Sequence, residues 1–245
     1  MRHLWLRIVT LGLAIGAAGC AGATASSEDT TADAADAETA SDATDAAAGT
    51  DAAVTHAFTC NQVMGVSVTG EWFGGGFEAR VGDPHWQAVT LSHAYVDLWA
   101  DPTNTVWATP ITSPCAEQSD SPDRVLFVGC NWDYTTTAEW TSAFTAVIAN
   151  LQAKYPKLKH IELLTMLRAP GNQSCPDAVN AETLVQPFID AAIAKVVADH
   201  PGFVSAAPHF EAPNCDVFIL GGPHLTPDGQ AAVAQVYGDY YATHQ

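Results

Sequence analysis

The stretch Arg-Val-Leu-Phe-Val-Gly, residues 124–129, decides the fold class. Its central residues are apolar without alternation, which suits a strand covered on both faces. Such a strand needs helices above and below it. Downstream, residues 138–155 supply one: Phe144, Val147, Ile148 and Leu151 recur at helical spacing on a single face. His-Ile-Glu-Leu-Leu-Thr-Met, 160–166, is a second buried strand. A helix should then begin at Glu182 or Leu184 and run to His200, with Pro187 in its first turn. A short strand at 203–206 and a last helix at 227–242 complete the C-terminal half. Upstream, 63–68 reads as the first strand. Between 82 and 123 either 89–91 or 95–99 fits as the second strand. Alternating strand and helix imply a three-layer α/β/α sandwich around a mostly parallel, flavodoxin-like sheet. Ligands of such sheets gather beyond the carboxyl ends of the strands.

The 245 residues divide into three parts. Residues 1–20 carry Arg2 and Arg7, a short apolar run at 8–18, and then Ala-Ala-Gly-Cys ending at Cys20. The run is too short to span a bilayer and fits a secretory signal. Small residues directly before a cysteine resemble the bacterial lipoprotein box, in which Cys20 would be lipidated. Such a chain would be exported and anchored by lipid at the outer membrane or cell surface. Residues 21–55 are Ala, Thr, Ser, Asp and Glu-rich, with no aromatic residue and no Lys or Arg. A stretch like this cannot bury enough apolar surface to offset its ordering entropy, and it reads as an extended tether. Residues 56–245 are long enough for one domain with its own core. That domain keeps 19 acidic against 7 basic residues, a formal net −12. This balance argues against a nucleic-acid partner, which needs a basic face. The domain is expected to act as a monomer.

Three loops carry residues with chemical potential. After the first strand stands Gly65-Val66-Ser67-Val68-Thr69-Gly70-Glu71; after 124–128 stands Gly129-Cys130-Asn131-Trp132-Asp133; before the last helix stands Gly221-Gly222-Pro223-His224-Leu225-Thr226-Pro227-Asp228-Gly229. In the last, Thr226 is a natural N-cap, Pro227 suits the first helical position and Asp228 complements the helix dipole. The three segments, in this order, resemble the blocks of the SGNH hydrolases (the GDSL esterase/lipase family) over 60–242. The resemblance implies an SGNH-type sandwich and acyl transfer without metal or cofactor. Ser67 would attack an ester carbonyl and His224 would act as general base. The backbone at Ser67 and Gly129 and the amide of Asn131 would form the oxyanion site.

The chain departs from the family pattern at three points. Val66 replaces the aspartate before the serine. Gly221 stands where the acid three residues before the histidine belongs, leaving Asp216 or Asp133 as substitutes, or a Ser–His dyad. No glycine occurs between Gly82 and Gly129, so the second-block oxyanion glycine is missing. These departures sustain an alternative: a catalytically impaired relative that binds glycan or another ligand. Trp72 and Trp132, close to the first and third loops, are candidate substrate-binding residues for an acyl chain or a sugar ring. His85, His93 and His209 have no metal-ligand spacing. Five cysteines follow Cys20, and export favours disulfides. Cys175 with Cys215 and Cys60 with Cys115 are the expected pairs, leaving Cys130 as a buried packing thiol.

Overall fold

The computed structural model describes residues 58–83, 85–108, 121–165, 181–212, 214–218 and 224–244, and for 181–186 the backbone alone. The signal segment with Cys20, the tether, Cys115, Cys175 and Gly221 lie outside the described residues. Five strands form one sheet: β1 (Asn61–Val66), β2 (Trp86–Leu91), β3 (Arg124–Gly129), β4 (His160–Thr165) and β5 (Val204–Ala206). Their order is β2-β1-β3-β4-β5 and every pairing is parallel.

The side chains of β3 explain the layering. Val125 and Phe127 point into one apolar cluster with Trp140, Phe144, Val147, Ile148 and Leu151. Leu126 and Val128 point into a second cluster with Trp72, Phe77, Val233 and Tyr237. The first face is covered by α3 (Val96–Ala100), α4 (Thr137–Lys154) and α5 (Ala181–Asp199). The second is covered by α1 (Ser67–Trp72), a π-helical turn (Phe73–Phe77), α2 (Glu78–Val81) and α6 (Pro227–Tyr241). The result is the expected α/β/α sandwich. Burying each large side chain of β3 contributes about 1.5–3 kcal/mol, and its apolar residues lie on both faces, so the run is continuous.

Several boundaries differ from the sequence reading. The first strand ends at Val66, not at residue 68, and Ser67 opens a helix. The second strand is Trp86–Leu91, whereas residues 96–100 are helical. Pairing decided this: Asn61 to Val66 run in register with Trp86 to Leu91. α5 starts at Ala181, which puts Pro187 beyond its first turn.

Helix starts follow local chemistry. Thr136 and Glu139 close a capping box on α4, with Glu139 N–H donating to Thr136 Oγ1 at 3.3 Å and Thr136 N–H to Glu139 Oε2 at 3.0 Å. Thr226 caps α6 by accepting the Gly229 N–H at 3.1 Å, with Pro227 directly behind it. At the amino ends of the strands a buried polar cluster closes the sheet. Arg124 Nη1 lies 3.5 Å from Glu162 Oε1, and Tyr241 Oη donates to Glu162 Oε2 at 2.6 Å. Cys60 and Cys215 each belong to a disulfide, and Cys130 is a buried cysteine outside the disulfides. Among the described residues no helix is long and apolar enough to cross a membrane.

Candidate active site

The sheet order makes its topological switch between β1 and β3, the two strands from which the chain winds outward in opposite directions. Ligands are expected there, beyond the carboxyl ends. A cavity of about 140 Å³ occupies this position, lined by Val66, Ser67 and Val68 after β1, Ser92, His93 and Tyr95 after β2, Cys130 and Trp132 after β3, and His224. Ser67 and His224 therefore face one small space. Among the described residues no group of three His, Cys, Asp or Glu is placed to hold a metal ion.

Ser67 is the first residue of α1, directly behind the extended Val66 (φ −82°, ψ 178°). The turn from a buried strand into a helix projects it at the sheet edge. Val68, Thr69 and Trp72 form the inward face of the same helix. Trp72, expected to bind substrate, does not line the cavity. It is 2% exposed and packs against Phe77 and Tyr237 at ring-centroid distances of 5.3 and 5.0 Å. Read as a strand end, 67–72 places Trp72 at the mouth; coiled as a helix, it turns Trp72 into the core.

His224 is held from both sides of its loop. Leu225 bridges Phe218, Thr226 N–H donates to Val217 O at 2.9 Å, and α6 follows at once. The ring Nδ1 is hydrogen-bonded to Glu71 Oε1. The other oxygen of Glu71 accepts the Leu225 N–H at 2.8 Å. Neither Asp216 nor Asp133 takes part. The Asp216 N–H is bonded to Asn214 Oδ1 at 2.9 Å and the Asp133 N–H to Asn131 Oδ1 at 2.8 Å, while Glu71 meets the histidine from 153 residues away. Sequence reasoning missed Glu71. Its signal was the spacing Ser67–Glu71, one helical turn.

The third loop differs from its expected role. Asn131 is buried and does not line the cavity. Its Nδ2 donates to Asp97 Oδ1 at 3.0 Å, and its Oδ1 accepts the Asp133 N–H. These bonds hold the β3 loop against α3 instead of presenting the amide to Ser67. Gly129 is likewise absent from the lining. A Cβ there would lie 2.7 Å from Phe144, so this glycine admits α4 to the sheet. Trp132 does line the cavity, with its ring 5.8 Å from that of Tyr95 and its indole N–H buried without a hydrogen-bond partner among the described residues. Burial pushes the Tyr95 phenol up, with Cys130, Asp133 and Asp97 adding to the effect.

His93 enters the site unannounced by the sequence. It is the one non-glycine residue with a left-handed backbone among those described (φ 59°). Its Nδ1 is bonded to Ser92 Oγ at 2.8 Å and its ring stands edge-on to Tyr95. A backbone of this kind costs on the order of 1 kcal/mol, and it stands at the rim of the cavity.

No family model and no curated protein matches the chain. Among solved structures it is similar to the C-terminal catalytic domain of peptidoglycan O-acetyltransferase A from Streptococcus pneumoniae, bearing a methylsulfonyl adduct. That pair shares 13% identity over 75% of this chain and 90% of the other, with a TM-score of 0.43. It is also similar to a carbohydrate acetylesterase from Xanthomonas citri, at 13% identity over 72% of this chain and 41% of the other, with a TM-score of 0.40. The chemistry of the site rests on its own residues.

Proposed function

We propose that this chain is an exported, lipid-anchored serine ester hydrolase that removes short acyl groups, including those carried on carbohydrate. The observation that carries the reading is that Ser67 and His224, from opposite ends of the domain, line one cavity at the β1/β3 switch point. The order of the three loops, which resembles that of the SGNH hydrolases, supports it.

In this reading Ser67 Oγ attacks the carbonyl carbon while His224 Nε2 takes its proton. The new C–O bond drives the carbonyl electrons onto oxygen. In this reading the first N–H groups of α1, which have no partner inside the helix, serve as donors to that oxyanion. Collapse expels the alcohol, which leaves with the proton from His224. Water then attacks the acyl-serine and gives a proton to His224, which passes it to Ser67 Oγ as the Oγ–acyl bond breaks and the acid is released. A cavity of about 140 Å³ is well below the size of a drug-like pocket, and it suits an acyl group of a few carbons. Tyr95 and Trp132 form an aromatic wall on which a sugar ring can stack.

The test is hydrolysis of p-nitrophenyl acetate by the purified protein, beside Ser67→Ala and His224→Ala, with fluorophosphonate labelling in parallel. Turnover and labelling that disappear in Ser67→Ala are the expected result. A folded wild type that does neither refutes the enzyme reading and leaves ligand binding.

A further inference from the structure

We propose that Glu71 is the positioning carboxylate of His224, supplied by the helix of the nucleophile and not by the loop of the base. This rests on the reading of Ser67 and His224 as nucleophile and base. Both carboxylate oxygens are engaged in the same loop: Oε1 on the ring Nδ1, Oε2 on the Leu225 N–H at 2.8 Å. An ionised carboxylate only accepts hydrogen bonds. The bonded Nδ1 therefore carries the ring proton, and Nε2 is left with a lone pair for the serine proton. The second bond fixes the backbone next to the ring. One side chain thus sets both the tautomer and the place of the imidazole.

The location of Glu71 strengthens the assignment. It follows Ser67 by four residues on α1, so a single helical turn carries nucleophile and acid. That turn is anchored from beneath by the buried Val68, Thr69 and Trp72. Glu71 is itself sheltered, with a side chain 24% exposed against 46% for His224. Among the described residues no other carboxylate contacts His224. A surface ion pair would use one oxygen and hold long side chains loosely; this carboxylate spends its second oxygen on the backbone of the adjoining residue.

The experiment compares Glu71→Gln and Glu71→Ala with wild type and Ser67→Ala in the purified full chain. It reads kcat and KM for p-nitrophenyl acetate, the rate of fluorophosphonate labelling, thermal stability, and the ring tautomer of His224 by nitrogen-15 NMR. A glutamine can donate to Nδ1 and hold the wrong tautomer. The expected result is a fall in kcat and labelling rate of about 10²–10⁴-fold with KM little changed. In Glu71→Gln the His224 proton should move from Nδ1 to Nε2, a change that a purely structural role would not produce. Glu71→Ala carries the kinetic test if the glutamine variant folds poorly. A folded variant within about threefold of wild type in kcat, or an unchanged Nδ1–H tautomer in Glu71→Gln, overturns the proposal even where Ser67→Ala is inactive. Full activity in Ser67→Ala, or no labelling of wild type, overturns the reading of the site beneath it, and this proposal with it.

Discussion

Gly70 lies between Ser67 and Glu71 on α1, where the helix faces Thr90 of β2. A Cβ added to Gly70 would sit 2.6 Å from Thr90 Oγ1, about 0.8 Å inside the 3.4 Å at which ordinary contact begins. Two of the three staggered positions of Thr90 put a heavy atom into this gap, and a β-branched side chain on a strand is stiff. Gly70→Ala therefore pushes α1 off the sheet. Overpacking of this kind costs about 1–3 kcal/mol, while alanine in place of glycine in a helix returns up to about 1 kcal/mol. The net expectation is a loss of up to about 2 kcal/mol. The kinetic effect should be larger. A shift of several tenths of an ångström carries Ser67, the proposed nucleophile, and Glu71 together away from the cavity, and a misplacement near 1 Å costs on the order of 10²-fold. Thr90→Ala removes Oγ1 and leaves Thr90 Cβ, at 3.4 Å, as the nearest remaining atom. In that background Gly70→Ala should reverse sign and stabilise by about 0.5–1 kcal/mol, with turnover recovering to that of Thr90→Ala alone. Urea denaturation and p-nitrophenyl acetate hydrolysis on the four proteins measure both. If Gly70→Ala alone keeps wild-type stability and kcat/KM, or if Thr90→Ala fails to reverse the sign, the close contact does not position the helix.

Two other predictions separate residues that look alike in sequence. Trp72→Ala empties a core position and should cost about 3–5 kcal/mol, which for a domain of this size lowers Tm by about 6–20 °C. Trp132→Ala, at the cavity wall, should leave Tm within a few degrees and change KM and acyl-chain preference; equal losses of stability in the two variants would show the assignment of roles to be wrong. The third concerns alkaline pH. Burial pushes the Tyr155 phenol up to about 12. Its folded-state value is raised, so its stabilising contribution is complete below about pH 10 and is lost as pH climbs towards 12, amounting to about 2 kcal/mol at pH 12. Tyr155→Phe should flatten that part of the stability–pH profile in urea titrations, and parallel profiles for the two proteins would rule the contribution out.

The parts of the fold that can be read from the sequence are those whose signals are local. The doubly apolar runs of β3 and β4 announce a sheet covered on both faces, and the cap of α6 is written in Thr226-Pro227-Asp228. The second strand was ambiguous because 89–91 and 95–99 are both short apolar-rich stretches set among aromatic, proline and polar residues. Only pairing with β1, a long-range event, distinguishes them. The same limit applies at the site. Ser67 and His224 stand in recognisable surroundings, but Trp72 and Glu71 depend on the chain coiling at Ser67. In a strand, alternate residues share a face; in a helix, Ser67 and Glu71 do, and Val68 and Trp72 turn inward together. One change of period from two to 3.6 thus reassigns the tryptophan to the core and brings the glutamate to the histidine. Asn131 illustrates a different limit, because its partner Asp97 belongs to α3, an element the sequence left unresolved.

The departure at Gly221 gains a physical rationale from this geometry. What a base histidine requires is an acceptor on one ring nitrogen and a clear path from the other to the serine. Nothing in that requirement ties the acceptor to the loop of the histidine. At the β1/β3 switch point several elements converge, and any of them can present a carboxylate to the same nitrogen. The helix after β1 has a particular advantage. Its first residue is Ser67, so an acid one turn later moves with the proposed nucleophile, whereas an acid on the loop of His224 moves with the histidine. Glu71 also binds the Leu225 N–H and so joins the two moving parts. Displacing the helix then carries the serine away from the cavity and loosens the histidine at the same time. Perturbations of α1 should consequently lower kcat more steeply than equal displacements of the β3 loop, which carries Trp132 but neither end of this hydrogen-bonded link.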